Sequence, residues 1–175
     1  GSRAVEMMPA SGEYGGVKVD TKVEGQKIEI IPYLSFQGNC EEVVHTYIDI
    51  FGGEIAKMTY WSADRADIPS EQIGKVMYAE FRVGSVRMAA KDTVDCAEGN
   101  TDRQLMVHMD TEAEALYTVF ALAEGGCVLL PLAPHQESDD DVCRSVIKDR
   151  FGITWIITCP DPTKQYYADG IIWLD

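Results

Sequence analysis

The sequence predicts an α+β fold of two successive βαβββ modules, and two observations carry that prediction. Segments with strand and helix patterns of apolar residues follow in the order strand, helix, strand, strand, strand, and this order occurs twice. A pair of glycines ends each predicted helix, and the pairs Gly52-Gly53 and Gly125-Gly126 lie 73 residues apart. At the same offset, Tyr47 matches Phe120. The pattern indicates an internal duplication.

The first module begins where the composition changes. Residues 1–27 lack a sustained apolar period, and we expect a flexible N-terminal tail that starts with a Gly1-Ser2 cloning scar. Residues 28–36 are apolar and predict a strand. Asn39 is expected to cap the helix that follows. The apolar face of this helix consists of Val43, Val44, Tyr47, Ile50 and Phe51.

Three strands complete the first module, which spans about residues 28–92. The first of them covers residues 55–61, and a polar loop follows at 63–74. The other two, residues 75–83 and 85–91, meet at the turn residue Gly84.

The second module, about residues 103–160, repeats the plan. A strand at 103–109 precedes a helix that Thr111 is expected to cap. The apolar residues of this helix are Leu116, Tyr117, Phe120 and Ala123. A strand at 127–132 and an acidic loop at 137–141 come next. The last strands, 142–148 and 153–159, are joined by residues 149–152, and a C-terminal extension covers 161–175.

Composition limits the function classes. The formal net charge is −14, from 29 acidic and 15 basic residues, without the Lys and Arg clusters that phosphate contacts need. We therefore expect no nucleic-acid partner, and the overall field favours a cationic or neutral ligand. The alternative is that the acidic residues only keep the protein soluble.

The cysteines and the apolar runs indicate the compartment. The five cysteines are odd in number and contain no C-x-x-C pair, which argues against a disulfide framework or a zinc knuckle. No apolar run reaches the roughly 18 residues that cross a bilayer, and no signal-peptide core is present at the N-terminus. We expect a cytoplasmic protein without a membrane partner.

Three motifs resemble PhnB-like proteins of the vicinal oxygen chelate (glyoxalase, bleomycin-resistance and dioxygenase) superfamily. Ile31-Pro32-Tyr33-Leu34-Ser35-Phe36, followed by Gly38-Asn39-Cys40-Glu41-Glu42 and Phe51-Gly52-Gly53-Glu54, resembles their opening. Residues 77–81 resemble their third strand, and residues 149–155 resemble their closing hairpin. The resemblance covers about residues 28–160. It implies the glyoxalase/bleomycin-resistance fold, in which a curled mixed sheet surrounds a cup with helices on its convex side, and it implies a homodimer.

The resemblance also implies where a metal would lie. Enzymes of the superfamily bind a divalent ion through four His, Glu or Gln side chains on the concave face. These positions fall at Ile31 or Pro32, Ala89 or Ala90, Gln104, and Ile156. Because Gln104 is the one side chain of that type among them, we expect no metal and no other cofactor.

Some relatives carry a ubiquinone methyltransferase label. The chain has no Gly-x-Gly after a strand and no alternating parallel α/β pattern to bind S-adenosylmethionine, so we do not expect that chemistry.

Strand alternation predicts the lining of the cup. Met77, Ala79, Phe81 and Val83 should pack under the helices, and so should Leu105, Val107 and Met109. The expected ligand-binding residues are Tyr78, Glu80, Arg82, Arg87, Gln104, His108, Thr154 and Thr158. The first strand should add Pro32, Leu34 and Phe36, and Met106 and Ile156 lie on the same predicted face. This mixed lining suits a small organic ligand, either cationic or aromatic.

Each candidate has a structural alternative. Glu80 is either a catalytic residue or one half of a cross-strand ion pair with Arg82 or Arg87. His108 is either a base or a structural histidine. Tyr78 either contacts ligand or only packs. Cys40, at a helix start, has the best case for a lowered pKa.

Three functions follow. The first is a metal-free small-molecule-binding dimer. The second is a lyase, isomerase or dioxygenase with a rearranged site, in which Glu80 and His108 are catalytic. The third is an interaction role for the tail or for the acidic loop, which contains Asp139, Asp140 and Asp141.

Overall fold

The computed structural model describes residues 12–19, 25, 27–65, 67–95, 103–135 and 141–164. The chain divides into two compact units, residues 1–30 and 31–175. In the first unit, β1 (Gly12–Tyr14) and β2 (Val17–Val19) form an antiparallel hairpin within the segment predicted to be a tail. The second unit contains both predicted modules. Most of the acidic loop, including Asp139 and Asp140, and most of the C-terminal extension lie outside the described residues.

The first module forms one four-stranded mixed sheet and one helix. The elements are β3 (Tyr33–Phe36), α1 (Cys40–Phe51), β4 (Gly53–Tyr60), β5 (Val76–Val83) and β6 (Val86–Asp92). Strand β3 runs parallel to β6, and the other pairs in the order β3-β6-β5-β4 are antiparallel. A short 3-10 turn lies in the polar loop between β4 and β5 at Ser70–Gln72.

The second module has the same topology. The elements are β7 (Gln104–His108), α2 (Glu112–Ala123), β8 (Cys127–Pro134), β9 (Val142–Lys148) and β10 (Thr154–Pro160). The strand order in the sheet is β7-β10-β9-β8, and β7 is parallel to β10. The α+β class and the duplicated βαβββ order are therefore confirmed. None of the described helices is long and apolar enough to span a membrane.

The double glycines do more than end the helices. Gly52 and Gly125 have φ values of 79° and 73°, a region that glycine enters without strain. A Cβ on Gly53 would collide with the carbonyl oxygen of Arg82, and one on Gly126 would collide with that of Lys148. The second glycine of each pair thus lets the first residues of a strand approach its neighbour, in equivalent places of both modules.

One hydrophobic core joins the modules. Tyr47 and Phe51 of α1 pack against Trp155 of β10, with ring centroids 5.1 Å and 5.0 Å apart. The buried carboxylate of Asp149 accepts a 2.5 Å hydrogen bond from the Tyr47 hydroxyl and a 2.9 Å bond from Trp155 Nε1. The same carboxylate accepts hydrogen bonds from the backbone N–H groups of Phe151 and Ile153. The closing hairpin of the second module is therefore fixed to the helix of the first.

The start of α1 differs from the prediction. Asn39 makes no side-chain capping bond. Instead, Asp92 Oδ1 accepts hydrogen bonds from the backbone N–H groups of Gly38 and Cys40, at 2.8 Å and 3.0 Å. Its Oδ2 accepts a 2.9 Å hydrogen bond from the backbone N–H of Val76. A carboxylate at the end of β6 replaces the local cap because the parallel pairing of β6 with β3 places Asp92 opposite Phe36, just before the helix start. In α2 the predicted cap is confirmed, since Thr111 Oγ1 accepts the N–H of Glu114.

The buried face of α2 also differs from the prediction. The buried residues are Ala115, Thr118, Val119 and Leu122. Tyr117 and Phe120, which were expected on the apolar face, are 63% and 73% exposed. The two helices superpose at an offset of 72 residues, which matches Tyr47 with Val119 rather than with Phe120. The larger apolar residues of α2 consequently lie on its outer surface.

Candidate functional site

We call the side of each sheet that is turned away from the shared core its open face. Residues that pair directly across strands lie on the same side of a sheet. In the first sheet, Glu80 pairs with Ala89 on one side and with Lys57 on the other, and Ala89 pairs with Tyr33. These four residues form a continuous row across the open face. Ala79, Phe81 and Val83 are buried on the opposite side, as predicted.

A polar cluster lies along this row. Glu80 Oε1 is 3.1 Å from Arg87 Nη1, and the Tyr78 hydroxyl donates a 3.3 Å hydrogen bond to Glu80 Oε2. Burial raises the pKa of Tyr78, and the neighbouring Glu80 carboxylate acts in the same direction, so Tyr78 remains a neutral donor at pH 7. Tyr33 meets Tyr78 edge to face with ring centroids 6.0 Å apart. The predicted residues Tyr78, Glu80 and Arg87 are therefore in mutual contact.

Two further residues extend the cluster. Lys57 Nζ lies 6.0 Å from the centre of the Tyr78 ring, and Lys91 Nζ lies 5.7 Å from that of Tyr33. Arg82 pairs across the strands with Arg87, and its guanidinium is 3.7 Å from Glu54. The ion pair of Glu80 is thus made with Arg87, whereas Arg82 bonds elsewhere.

The open face of the second sheet is less polar. Gln104 pairs with Thr154 and His108 pairs with Thr158, so these four predicted residues share one face. His108 Nδ1 lies 2.9 Å from Thr158 Oγ1. Met106 and Ile156 lie between the two pairs, and Trp155 and Ile157 are buried on the other side, as predicted.

The prediction for the first strand is wrong at Leu34 and Phe36. These residues are 1% and 4% exposed and belong to the core, so the open face carries Tyr33 and Ser35 instead. The apolar pair is buried because removing two large apolar side chains from water is more favourable than exposing them.

The predicted residues form two groups rather than one. In a single chain, Glu80 and His108 lie on different sheets, and no hydrogen bond or ion pair between them occurs among the described residues. A cavity of about 460 Å³ does lie between the modules. Of the eight predicted ligand-binding residues, His108 alone lines it, beside apolar side chains such as Pro32, Met88 and Trp155.

The superfamily metal does not fit this donor set. Ala89 lies on the open face beside Tyr33, at the position where a carboxylate or imidazole would be needed, and Ala90 faces the core. Ile156 occupies the corresponding place on β10, next to Met106. Within the described part of the chain, no group of three or more His, Cys, Asp or Glu side chains is arranged to hold a metal.

S-adenosylmethionine fits no better. Each sheet is mixed, with one parallel pair and its helix on one side, and the described elements contain no parallel sheet with helices on both faces.

The thiols differ from the expectation for Cys40. Burial, together with the nearby carboxylates of Asp92 and Glu41, raises the pKa of Cys40 to about 12. Burial and the two carboxylates raise the pKa of this thiol by more than the N-terminus of the helix lowers it. Cys127 is exposed on β8, whereas Cys143 and Cys159 are buried directly opposite each other.

Sequence reasoning missed Tyr33, Lys57, Lys91 and Arg144 on the open faces. Alternation alone could have placed Arg144, because Cys143, Ser145 and Ile147 are the buried residues of β9. Lys57 could not have been placed in this way, since the pairing of β4 is shifted between Ile55 and Lys57.

Comparison with known proteins gives one family match and many matches of fold. A family model described as 3-demethylubiquinone-9 3-methyltransferase matches residues 28–158. No curated protein sequence matches the chain.

Three solved structures are similar to most of the chain. Protein PA1353 from Pseudomonas aeruginosa is 32% identical, with a TM-score of 0.65, and the match covers 77% of this chain and 98% of that one. A PhnB protein from Bacillus cereus is 24% identical, with the same TM-score of 0.65, covering 75% and 99%. FosX, a fosfomycin resistance protein from Listeria monocytogenes, is 11% identical with a TM-score of 0.51, covering 85% and 99%. The likeness to the PhnB protein and to FosX shows the fold, which is the glyoxalase/bleomycin-resistance fold.

Proposed function

Because the chain belongs to the PhnB-like family of the vicinal oxygen chelate superfamily, we propose that it is a homodimer that binds a small organic molecule without a metal. The binding surface in this proposal is formed by the open faces of the two sheets. The name of the family model describes a methyltransferase, which the strand order argues against.

One observation carries the proposal. At the place on the first sheet where superfamily enzymes need a metal ligand, the chain has Ala89, and the surrounding side chains form an organised polar cluster. Glu80 is bonded to both Arg87 and Tyr78, and Tyr33 packs against Tyr78. Pre-formed polar and aromatic side chains of this kind orient a small molecule, and the aromatic rings favour a ligand that contains a ring.

The homodimer is supported by the exposed apolar surface. Strand β8 lies at the edge of the second sheet, contains no charged residue and is exposed over most of its length. Leu129 is 57% exposed, and on α2 Phe120 is 73% exposed. Natural proteins rarely leave a long uncharged edge strand open to solvent. A second copy of the chain covers such an edge in this proposal.

A second copy also accounts for the separation of the predicted residues. The core-facing sides of both sheets contribute to one core, so the open faces point away from it. In this proposal the cup therefore lies between two subunits, and it is lined by the open face of a first sheet and the open face of a second sheet. Analytical ultracentrifugation tests it: the expected species is a dimer, and a monomer at all concentrations would exclude the shared cup.

The test of the metal-free site is the melting temperature of chelator-treated protein with and without Ni²⁺, Zn²⁺, Mn²⁺ and anaerobic Fe²⁺. An ion at a hundred times its dissociation constant would add roughly 2.7 kcal/mol of stability. We expect no such gain. A rise that disappears in Glu80→Ala, but persists in the control Glu54→Ala, would instead support the enzyme hypothesis.

A further inference from the structure

The cavity between the modules runs along a free strand edge. Strand β7 pairs with β10 on one side, and no described strand pairs with its other side. Leu105 and Val107, which pack against the core, line the cavity. Met106 and His108 of the open face line it as well. Side chains from both faces of a strand meet in one cavity only at the edge of that strand, so the free edge of β7 forms one wall.

The free edge also brings hydrogen-bonding groups to the cavity. Within a parallel pair, alternate residues of a strand direct their backbone N–H and C=O groups to the same neighbour. The C=O of Arg103 accepts a 3.0 Å hydrogen bond from β10, and the N–H of Met109 donates a 2.8 Å hydrogen bond to that strand. Met106 and His108 lie at the alternate positions, so their backbone groups point away from β10 and toward the cavity.

Most of the cavity wall is apolar. Phe51 of α1, Met88 of β6 and Trp155 of β10 contribute large side chains. Met106 and Met109 also line the cavity, and the unbranched side chain of methionine adapts to ligands of different shape. The volume of about 460 Å³ lies within the range of about 300–1,000 Å³ that is typical of small-molecule sites. A ligand whose apolar body is a single ring suits this wall and this volume.

The carboxylates at the cavity have no cationic partner among the described residues. Asp110 and Glu114 line the cavity, whereas no described lysine or arginine does. Both acidic residues are exposed, and neither forms an ion pair with a described residue. The local charge that a ligand meets there is therefore negative, and it has the same sign as the formal net charge of −14.

An aromatic ring lies beside one of these carboxylates. A second cavity of about 420 Å³ shares Phe51, Met109 and Glu114 with the first, and Tyr117 also lines it. Glu114 and Tyr117 are three residues apart on α2, so they are neighbours on the surface of the helix. The Tyr117 ring is exposed. A carboxylate and a ring face together attract an ammonium group, the first by its charge and the second by its quadrupole.

We propose that the cavity between the modules binds a small organic amine. The apolar body of the amine lies between the free edge of β7 and the β5–β6 hairpin, whose turn also lines the cavity. Asp110 and Glu114, beside Tyr117, bind the ammonium group, and the backbone C=O groups of the free edge provide further acceptors. This site is separate from the open faces, so the proposal adds a second site and does not rest on the cup between subunits.

The test is an NMR titration of the full chain with isotope-labelled methionine methyl groups. The probes are benzylammonium, benzoate, benzyl alcohol and methylammonium. Met88 and Met109 report the cavity, Met106 reports both the cavity and the open face of the second sheet, and Met58 and Met77, which line neither cavity, are controls. We expect benzylammonium to shift the three cavity methionines and to bind about tenfold more tightly than the other probes. Raising the salt from about 0.05 M to about 0.5 M should weaken benzylammonium and leave benzyl alcohol unchanged.

The matched variants change exposed acidic residues at the start of α2. Glu114→Gln combined with Asp110→Asn should weaken benzylammonium about tenfold and leave benzyl alcohol unchanged. The control is Glu112→Gln, because Glu112 lies in the same helical turn, is exposed and lines neither cavity. It should bind benzylammonium within about twofold of wild type. Val86→Trp, which enlarges an exposed side chain that lines the cavity, should weaken benzylammonium and benzyl alcohol alike.

Each part of the proposal has an outcome that would overturn it. Shifts of Met106 without shifts of Met88 and Met109 would place the probe on the open face, which would exclude the cavity site and support the proposed small-molecule function. Equal or tighter binding of benzoate or benzyl alcohol would overturn the assignment to an amine. Equal weakening by the double variant and by Glu112→Gln would overturn the position of the ammonium group. If no probe shifts Met88 and Met109, the cavity is not a binding site, and the function proposed for the open faces is unaffected.

Discussion

The two modules share one topology, but different hydrogen bonds hold the helix and the closing strands of each module in place. In the first module, Asp92 reaches from the last strand to the start of α1 and is bonded within its own module. In the second, Thr111 caps α2 locally, and the buried carboxylate, Asp149, bonds both its own hairpin and Tyr47 of the first module. The duplication therefore preserved strand order, while the hydrogen bonds that stabilise each copy diverged.

The open faces diverged in the same way. The first carries an ion pair, two tyrosines and two lysines, whereas the second carries mostly apolar and hydroxyl side chains with His108 and Arg144. Equivalent backbone positions thus present different chemistry. A cup that combines both faces would have one charged wall and one apolar wall.

The two buried aspartates give the largest expected difference. Asp149→Ala leaves the Tyr47 hydroxyl, Trp155 Nε1 and two backbone N–H groups without their acceptor, so we expect a loss of about 4 kcal/mol in the free energy of unfolding. Asp92→Ala removes three bonds within one module and should cost about 2–3 kcal/mol. Urea denaturation measures both. A larger loss for Asp92→Ala would contradict the cross-module role of Asp149.

The helix starts should differ in alkaline solution. The pKa of Cys40 is about 12 in the fold against 9.0 for a free thiol, so the fold favours the protonated form. That contribution to stability is complete below about pH 9 and is lost as pH rises toward 12, by about 1.4 kcal/mol per unit. At about pH 10.5, wild type should therefore have lost roughly 2 kcal/mol that Cys40→Ala does not lose. Unfolding free energies at several pH values test this, with the exposed Cys127→Ala as the control that should follow wild type.

The hydrogen bond between Tyr47 and Asp149, which joins the modules, should stabilise the fold more than a tyrosine–carboxylate hydrogen bond at the surface. Tyr47→Phe removes the hydroxyl that donates to the buried Asp149 and should cost about 1–2 kcal/mol. Tyr60→Phe removes an equally short bond to Glu41 at the surface and should cost less than about 0.5 kcal/mol. Equal losses in thermal or urea denaturation would show that the bond across the modules has no special weight.

The smallest expected effect concerns the open face of the first sheet. Glu80→Gln breaks the ion pair with Arg87, whose side chain is 42% exposed, so the free energy of unfolding should fall by less than about 1 kcal/mol. A loss above about 2 kcal/mol would indicate that the cluster is a structural element rather than a binding surface. The result would decide between the two interpretations of Glu80.

The sequence predicted the architecture well because the signals for helices and strands lie within the elements themselves. Apolar periodicity and paired glycines were enough to place both helices and eight strands of the modules. Alternation placed Tyr78 and Glu80 correctly, since Ala79 and Phe81 are small or apolar and clearly belong to the core. The Thr111 cap is local and was also predicted.

Features that depend on distant residues were not predicted. The strand β3 is apolar at almost every position, so its two faces could not be distinguished by alternation, and only the structure shows that Leu34 and Phe36 belong to the core. The replacement of the Asn39 cap by Asp92 joins residues more than 50 positions apart. The assignment of Lys57 to the open face depends on a shifted strand pairing. The buried face of α2 was predicted wrongly because the largest apolar residues of this helix, Tyr117 and Phe120, face outward.

The uncharged strand β8 has a consequence for handling the protein. This free edge has eight residues without a charge, seven of them exposed on the separate chain. Pro131 and Pro134 lack an N–H, so the part of the edge that can pair with another chain is Cys127–Leu130. If a second copy covers it, the dissociated subunit is the species that aggregates, so a change that weakens the dimer at a fixed total concentration would favour turbidity. Light scattering at one protein concentration, compared with the dimer fraction from ultracentrifugation, would show whether precipitation follows the monomer concentration, and Leu129→Lys would be expected to suppress it by placing a charge on the edge.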